Sequence, residues 1–196
     1  MDRIVFGAVH KLRALAIAGL AAGLLEIGAA AQVQSVPGLV PVPTFSAFAT
    51  YTSSQPNSGS GTNAQLYGPS VGAFYQTSHV IGFEVRATAT RYGGFNHQDL
   101  ALGGARIVLH HRRFAPYGAF LFGAAHARYP EPPLPSGKIP QFVGIGPAWQ
   151  MVGGADYNLQ HHFRIRVGEF SYSNIYLSTR TLSPWSFGTG LVFRIH

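Results

Sequence analysis

The chain contains no cysteine and carries little charge. Only 11% of its 196 residues are Asp, Glu, Lys or Arg, whereas about a quarter is usual in soluble domains. The absence of cysteine excludes disulfides and thiolate metal sites. Beyond the first thirty residues, no continuous apolar run reaches the roughly 20 residues that a membrane-spanning helix needs. These absences exclude both a disulfide-stabilised domain and a bundle of membrane helices.

Glycine and aromatic residues are abundant instead, with 24 glycines and 13% aromatics. The final stretch, SPWSFGTGLVFRIH, shows how they are arranged. Trp185, Phe187 and Leu191 occupy odd positions, while the even positions are small or polar except for Val192. A period of two residues is typical of a β-strand with one apolar and one polar face. We therefore predict an all-β chain whose strands are apolar on one side only.

The first 31 residues have the order of a secretory signal peptide. Three basic residues precede an apolar run, Ala14–Leu25, and an A-x-A cleavage site, Ala29–Ala31, follows before Gln32. The apolar run is shorter than the roughly 20 residues of a spanning helix. We therefore predict that residues 1–31 are removed on export and that the mature chain begins at Gln32.

Eight strand-like runs follow, separated by breaks rich in Gly, Pro, Ser and Asn. The predicted runs are 42–52, 65–76, 80–93, 100–112, 117–129, 142–157, 163–176 and 183–196. Breaks at 95–99, 113–116 and 177–184 separate three of the pairs.

The lengths of the connections indicate the topology. Long polar connections, 53–63 and 130–140, follow odd-numbered runs, and the connections after even-numbered runs are short. Transmembrane β-barrels alternate short periplasmic turns with longer outer loops in this way. The pattern predicts an eight-stranded antiparallel transmembrane β-barrel over 42–196, preceded by a short periplasmic segment, 32–41.

Aromatic residues near both ends of the runs fit the two interfacial girdles of such a barrel. The predicted outer girdle comprises Tyr51, Tyr67, Tyr92, Tyr129, Tyr176 and Trp185. The predicted periplasmic girdle comprises Tyr75, Phe83, Tyr117, Tyr157, Phe163 and Phe193.

Extended along the chain, the same alternation places charged side chains inside the barrel. They are Glu84, Arg86, Arg106, Asp156, Arg164, Arg166 and Arg194. Glu169 has the opposite parity and reaches the interior only if a β-bulge lies at Gly168. Because an eight-stranded barrel is only wide enough for side chains to fill, and because unpaired buried charges are costly, we predict a plug of structural ion pairs.

A second group of basic residues falls near the predicted outer ends. It comprises Arg91, Arg128, Lys138 and Arg180. Such side chains suit the phosphates of lipopolysaccharide, although ordinary loop charge explains them equally well. Because the chain is predicted to be exported, we expect no nucleic-acid partner.

The histidines do not form a recognisable metal or catalytic motif. Neighbouring residues of a strand point to opposite faces, so His110 and His111 cannot chelate together, and the pair at 161–162 falls in a short turn. His97 and His126 are conceivable catalytic groups, as in barrel esterases or proteases, but no spacing singles them out. GxSxG, Walker and metalloprotease motifs are absent. We predict no enzyme activity, no cofactor and no metal.

The last two runs carry motifs of a known family. They contain Gly153-Gly154-x-Asp156-Tyr157 before a short turn, Arg164-x-Arg166, Glu169-Phe170 and a final Gly190-x-x-Phe193-Arg194-Ile195. In these features the chain resembles the outer-membrane β-barrel domain family, the small barrels that include OmpX and the OmpA membrane domain. One departure is that His196 follows Ile195, where members often end on an aromatic residue.

The resemblance implies an eight-stranded barrel in the outer membrane of a Gram-negative-type bacterium, with no shared catalytic residues. Lipid, lipopolysaccharide and the barrel assembly machinery are the expected partners of what we expect to be a monomer. The function predicted is a small barrel of structural or surface-interaction type. The alternatives are a narrow passive pore and a soluble periplasmic barrel that binds a small ligand.

Overall fold

In the computed structural model, residues 44–56, 65–78, 80–93, 96–109, 113–130, 141–160, 162–178 and 180–195 are described. The predicted signal peptide, its cleavage site and the segment 32–41 lie outside them. The described residues form the strands β1 (Thr44–Gln55), β2 (Leu66–Gln76), β3 (Ile81–Tyr92), β4 (Asn96–Val108), β5 (Phe114–Pro130), β6 (Gln141–Asn158), β7 (Phe163–Tyr176), β8 (Thr181–Leu182) and β9 (Trp185–Ile195).

The long strands close into a barrel. Each of β1 to β7 pairs antiparallel with the next, β7 pairs with β9, and β9 pairs with β1. The predicted all-β, eight-stranded antiparallel barrel is thus confirmed. Closure leaves none of the eight long strands with an unpaired edge. No helix in the described part of the chain is long and apolar enough to cross a membrane.

The ninth strand, β8, lies within the predicted break at 177–184 and adds a short pairing to the end of β7. Ile175 pairs with Leu182, and Tyr176 pairs with Thr181. We call the end of the barrel that carries this segment and the connections after β1, β3 and β5 the loop end. The opposite end, with the connections after β2, β4 and β6, is the turn end.

The bounds of β4 differ most from the prediction. The strand β4 begins at Asn96, so most of the predicted break at 95–99 is strand. The strand β4 ends at Val108 and β5 already begins at Phe114, so most of the predicted break at 113–116 is strand as well. Polar residues on both faces of 96–99 resemble a loop in sequence, although they extend the barrel at the loop end.

Side chains alternate between the interior and the outer face along each strand. In β9 the even residues are inward and the odd residues outward, as predicted, and Val192 is inward against Phe48 and Phe74. In β5 the odd residues are inward. Tyr117 and Tyr129 are consequently buried in the interior, so their assignment to the aromatic girdles was wrong.

The predicted irregularity in β7 is present. The register of β7 shifts between Arg166 and Glu169 against β9, and opposite Ala155 and Asp156 of β6. Val167 is exposed on the outer face, while Arg166 and Glu169 are both buried. One extra residue therefore brings side chains of opposite parity to the same face.

Candidate functional site: the charged interior and the outer rim

Six of the eight charged residues assigned to the interior form one closed circuit of ion pairs. We call this set the charge ring: Glu84, Arg86, Arg106, Asp156, Arg166 and Glu169. Every side chain in it is at most 3% exposed. Strands β3, β4, β6 and β7 contribute its members, so the ring links strands that are distant in sequence.

Glu84 anchors one side of the ring. Its Oε1 accepts a hydrogen bond from Arg86 Nη2 at 2.6 Å, and its Oε2 accepts one from Arg106 Nη1 at 2.6 Å. Arg106 Nη2 in turn donates a hydrogen bond to Asp156 Oδ2 at 3.1 Å. Each carboxylate oxygen of Glu84 thus faces a different guanidinium group.

Glu169 closes the other side. Asp156 Oδ1 accepts a hydrogen bond from Arg166 Nε at 2.9 Å, and Arg166 Nη1 donates to Glu169 Oε2 at 2.8 Å. Arg86 donates to both carboxylate oxygens of Glu169, with its Nη2 2.8 Å from Oε2. Three carboxylates and three guanidinium groups alternate around the ring, so its formal charge is zero.

Aromatic side chains cover the guanidinium groups. Arg106 lies 3.7 Å from the ring centre of Tyr117 and 4.1 Å from that of Phe74, while Arg166 lies 4.3 Å from that of Phe48. The hydroxyl group of Tyr117 also donates a hydrogen bond to Glu169. Cations at this distance from an aromatic face are attracted by the ring's quadrupole, which partly replaces the lost hydration.

Two glycines provide the space that these aromatic rings occupy. A Cβ on Gly72 would lie 2.5 Å from the Phe48 ring, and one on Gly154 would lie 2.6 Å from the Tyr117 hydroxyl oxygen. Both distances are shorter than real Cβ contacts allow. The close approach of ring to backbone explains why glycine occupies these two inward positions.

The remaining predicted interior residues, Arg164 and Arg194, lie outside the charge ring at the turn end. Arg164 is 3% exposed, and Arg194 is partly buried. Neither forms an ion pair with any of the described acidic residues. The alternation placed both inward, but it did not reveal that they stand apart from the others.

The predicted phosphate-contacting residues are distributed differently. Arg91 and Arg128 lie on the outer face at the loop end, where both pair in register with the intervening His97 of β4. The guanidinium carbon of Arg180 lies 4.7 Å from the ring centre of Phe142, a buried residue. Lys138 lies outside the described residues.

The outer face at the loop end also brings two histidines and an aspartate together. His97 Nε2 lies 3.3 Å from His126 Nδ1, and His126 Nδ1 lies 3.7 Å from Asp99 Oδ2. Arg91 Nη1 donates a hydrogen bond to Asp99 Oδ1 at 2.5 Å. We call Arg91, His97, Asp99, His126 and Arg128 the outer rim. Sequence reasoning missed the cluster because residues 95–99 were assigned to a loop.

No family model matches the chain, and no curated protein is similar to it in sequence. Solved structures do match its fold. Neisserial surface protein A (NspA) superposes with a TM-score of 0.57 and 16% identity, covering 76% of this chain and 96% of that one. OprG, an outer membrane protein of Pseudomonas aeruginosa, gives 0.52 and 14% identity over 78% of this chain and 96% of its own.

The chain has the fold of a small outer-membrane β-barrel. Ail of Yersinia pestis, solved in complex with the heparin analogue sucrose octasulfate, also matches, with a TM-score of 0.50 and 17% identity over 78% of this chain and 97% of its own. The predicted likeness to small outer-membrane barrels is therefore confirmed at the level of the fold.

Proposed function

We propose that the protein is an outer-membrane β-barrel of structural or surface-interaction type, without catalytic activity. One observation carries this proposal: the polarity of the molecule is inverted. Phe122 and Leu191 on the outer face are 61% and 58% exposed, whereas Glu84 and Arg166 inside are fully buried. Apolar side chains on the outer face and charged side chains in the interior are the arrangement expected of a barrel surrounded by lipid. The same inversion argues against the soluble periplasmic alternative.

The closed charge ring favours a filled barrel over a passive pore. Its six side chains pair with one another across the interior, and Phe48, Phe74 and Tyr117 pack against them. Solute passage through the ring would separate buried ion pairs, which costs several kcal/mol per uncompensated charge by a rough estimate. A liposome-swelling assay tests this: we expect no solute-dependent flux, and flux graded by solute size would favour the pore.

Membrane location is tested by fractionation and gel migration. We expect the protein in the outer-membrane fraction, with a mature N-terminus at Gln32 and with migration in SDS gels that changes on boiling. A soluble periplasmic protein, or a membrane form that begins at Met1, would contradict the proposed export and location.

We further propose that the outer rim contacts lipopolysaccharide. Arg91 and Arg128 flank His97 on one outward row, and guanidinium groups bind phosphate through paired hydrogen bonds. Ail, a barrel of the same fold, was solved with a polyanionic sugar, sucrose octasulfate. That complex supports the proposal that a barrel of this fold can bind a polyanion.

The lipopolysaccharide contact is tested with the double variant Arg91→Gln/Arg128→Gln. We expect the refolded variant to retain less lipopolysaccharide than wild type in a co-purification assay, and the difference to shrink at high salt. The matched control is Arg113→Gln, which removes a fully exposed arginine at the turn end. Equal retention by the double variant and wild type would contradict the proposal.

A further inference from the structure

We propose that His97, Asp99 and His126 form a binding site for a divalent transition metal ion of the zinc class on the outer face of the barrel. The site shares Arg91 with the proposed lipopolysaccharide contact, but its ligands are imidazole and carboxylate groups rather than guanidinium groups. It also does not depend on which membrane the barrel occupies.

The backbone of β4 and β5 brings the three side chains together. Asp99 and His126 are directly opposite each other in the antiparallel register, and His97 lies two residues before Asp99 on the same face. Directly opposed and diagonal neighbours on one face of a sheet are close enough for their side chains to meet. Two paired strands therefore position the ligands, in place of a loop.

The distances between the ligand atoms suit a small metal ion. His97 Nε2 and His126 Nδ1 are 3.3 Å apart, His126 Nδ1 and Asp99 Oδ2 are 3.7 Å apart, and all three residues offer atoms within 4.8 Å of one another. Zinc binds nitrogen and carboxylate oxygen at about 2.0–2.2 Å in tetrahedral geometry, which separates neighbouring ligand atoms by roughly 3.3–3.6 Å. A small movement of Asp99 completes three corners of a tetrahedron.

Arg91 orients the carboxylate group of Asp99 for metal binding. It holds Oδ1 of Asp99 at 2.5 Å and leaves Oδ2 directed toward His126. Outer hydrogen bonds of this kind orient metal ligands in proteins. The side chains of Asp99 and His126 are 28% and 23% exposed, so a fourth position stays open to water or to another ligand.

The ligand set selects the kind of metal. Imidazole groups suit zinc, copper and nickel, whereas magnesium and calcium prefer oxygen ligands alone. With two imidazoles and one carboxylate, the site should discriminate against magnesium and calcium. A hydrogen bond between the two histidines without metal is the alternative explanation of the 3.3 Å distance.

The experiment is a zinc titration of the full mature chain, refolded in detergent micelles without a histidine tag and cleared of metal with EDTA. Calorimetry compares wild type with His97→Gln, His126→Gln and the double variant. The control is His162→Gln, which removes an exposed histidine at the turn end. Heat-modifiable migration verifies that each variant is folded.

We expect the zinc stoichiometry of wild type and of His162→Gln to exceed that of each single variant and of the double variant by one ion per chain. Excess magnesium should not displace that ion, and cobalt at the site should give the visible absorption of a tetrahedral complex. Equal zinc stoichiometry in wild type and the double variant would overturn the proposal. If the double variant fails to fold, the two single variants and Asp99→Asn provide the test. Retention of the wild-type cobalt spectrum in all three would overturn the proposed metal site.

Discussion

The two halves of the barrel interior are filled in different ways. Toward the loop end, Leu66, Leu100, Tyr129 and Phe142 pack among neutral hydroxyl and amide groups. Toward the turn end, the charge ring occupies the interior, with aromatic rings against its guanidinium groups. The strands that enclose both halves are the same, so the difference lies entirely in the inward side chains.

The comparison shows two ways to close the interior of a narrow barrel. Apolar packing depends on volume and tolerates substitutions of similar size. A ring of buried charges depends on every member, because removal of one leaves two partners desolvated and unpaired. We therefore expect the turn half to be sensitive to the loss of a single charge, and the loop half to be sensitive to the loss of volume.

The largest effect is expected from Glu169→Ala in the charge ring. The change leaves Arg86 and Arg166 without one acceptor and removes the acceptor of the Tyr117 hydroxyl group. We expect the free energy of unfolding to fall by about 4 kcal/mol, the cost of breaking a buried pair. Urea unfolding in lipid vesicles measures it. Asp99→Ala, which breaks an ion pair at the partly exposed rim, should cost about 1 kcal/mol or less, and equal midpoints would contradict the comparison.

A smaller effect is expected from Leu121→Ala, which tests apolar packing of the interior. Leu121 is fully buried, so its truncation removes apolar contacts and leaves a cavity. We expect a loss of about 3 kcal/mol, within the range for buried leucines. Leu121→Met, which conserves the volume, should cost about 1 kcal/mol or less. If methionine and alanine destabilise the barrel equally, volume is not what matters there.

The outer face gives a third test. Leu191 is 58% exposed on the outer face of β9, and Gly190 beside it faces inward. We expect Leu191→Arg to lower stability in bilayers by about 2–3 kcal/mol, the penalty for arginine on the lipid face. Leu191→Phe is the control and should fold like wild type. Unchanged folding yield of the arginine variant in vesicles would show that the face of β9 is assigned incorrectly.

The smallest effect is expected when two opposite charges leave the ring together. In Arg86→Met/Glu169→Met the remaining members still alternate as Glu84, Arg106, Asp156 and Arg166. Since replacing a buried pair with apolar groups is often nearly neutral, we expect a loss of about 1 kcal/mol. A double variant less stable than Glu169→Ala would show that the ring acts through packing rather than through charge balance.

The sequence predicted the architecture well because most strands alternate strongly between apolar and polar residues. It failed at β5, where YGAFLFGAAHARY is apolar or small on both faces except for His126 and Arg128, which lie on the outer face near the loop end, so the alternation within the strand does not identify the inward face. Tyr117 and Tyr129 were misassigned for that reason.

The two functional clusters were only partly visible in the sequence. The alternation and the expected bulge placed the members of the charge ring inside. Their pairing depends on the register between strands, which single-strand patterns do not contain. The sequence did not predict the histidine cluster, because His97 and Asp99 lie in a polar stretch beyond the apolar part of β4. Such a stretch resembles a loop.

The arrangement of the charge ring has a consequence for how the barrel assembles. The β3–β4 hairpin contributes Glu84, Arg86 and Arg106, a surplus of one positive charge. The β6–β7 hairpin contributes Asp156, Arg166 and Glu169, a surplus of one negative charge. The ring members of each hairpin alone carry an unbalanced charge. The two charges cancel when β5 connects the hairpins within one sheet. Neutrality of the charge ring thus requires every strand from β3 to β7, and a sheet that lacks either hairpin would leave the ring members of the other with a net charge.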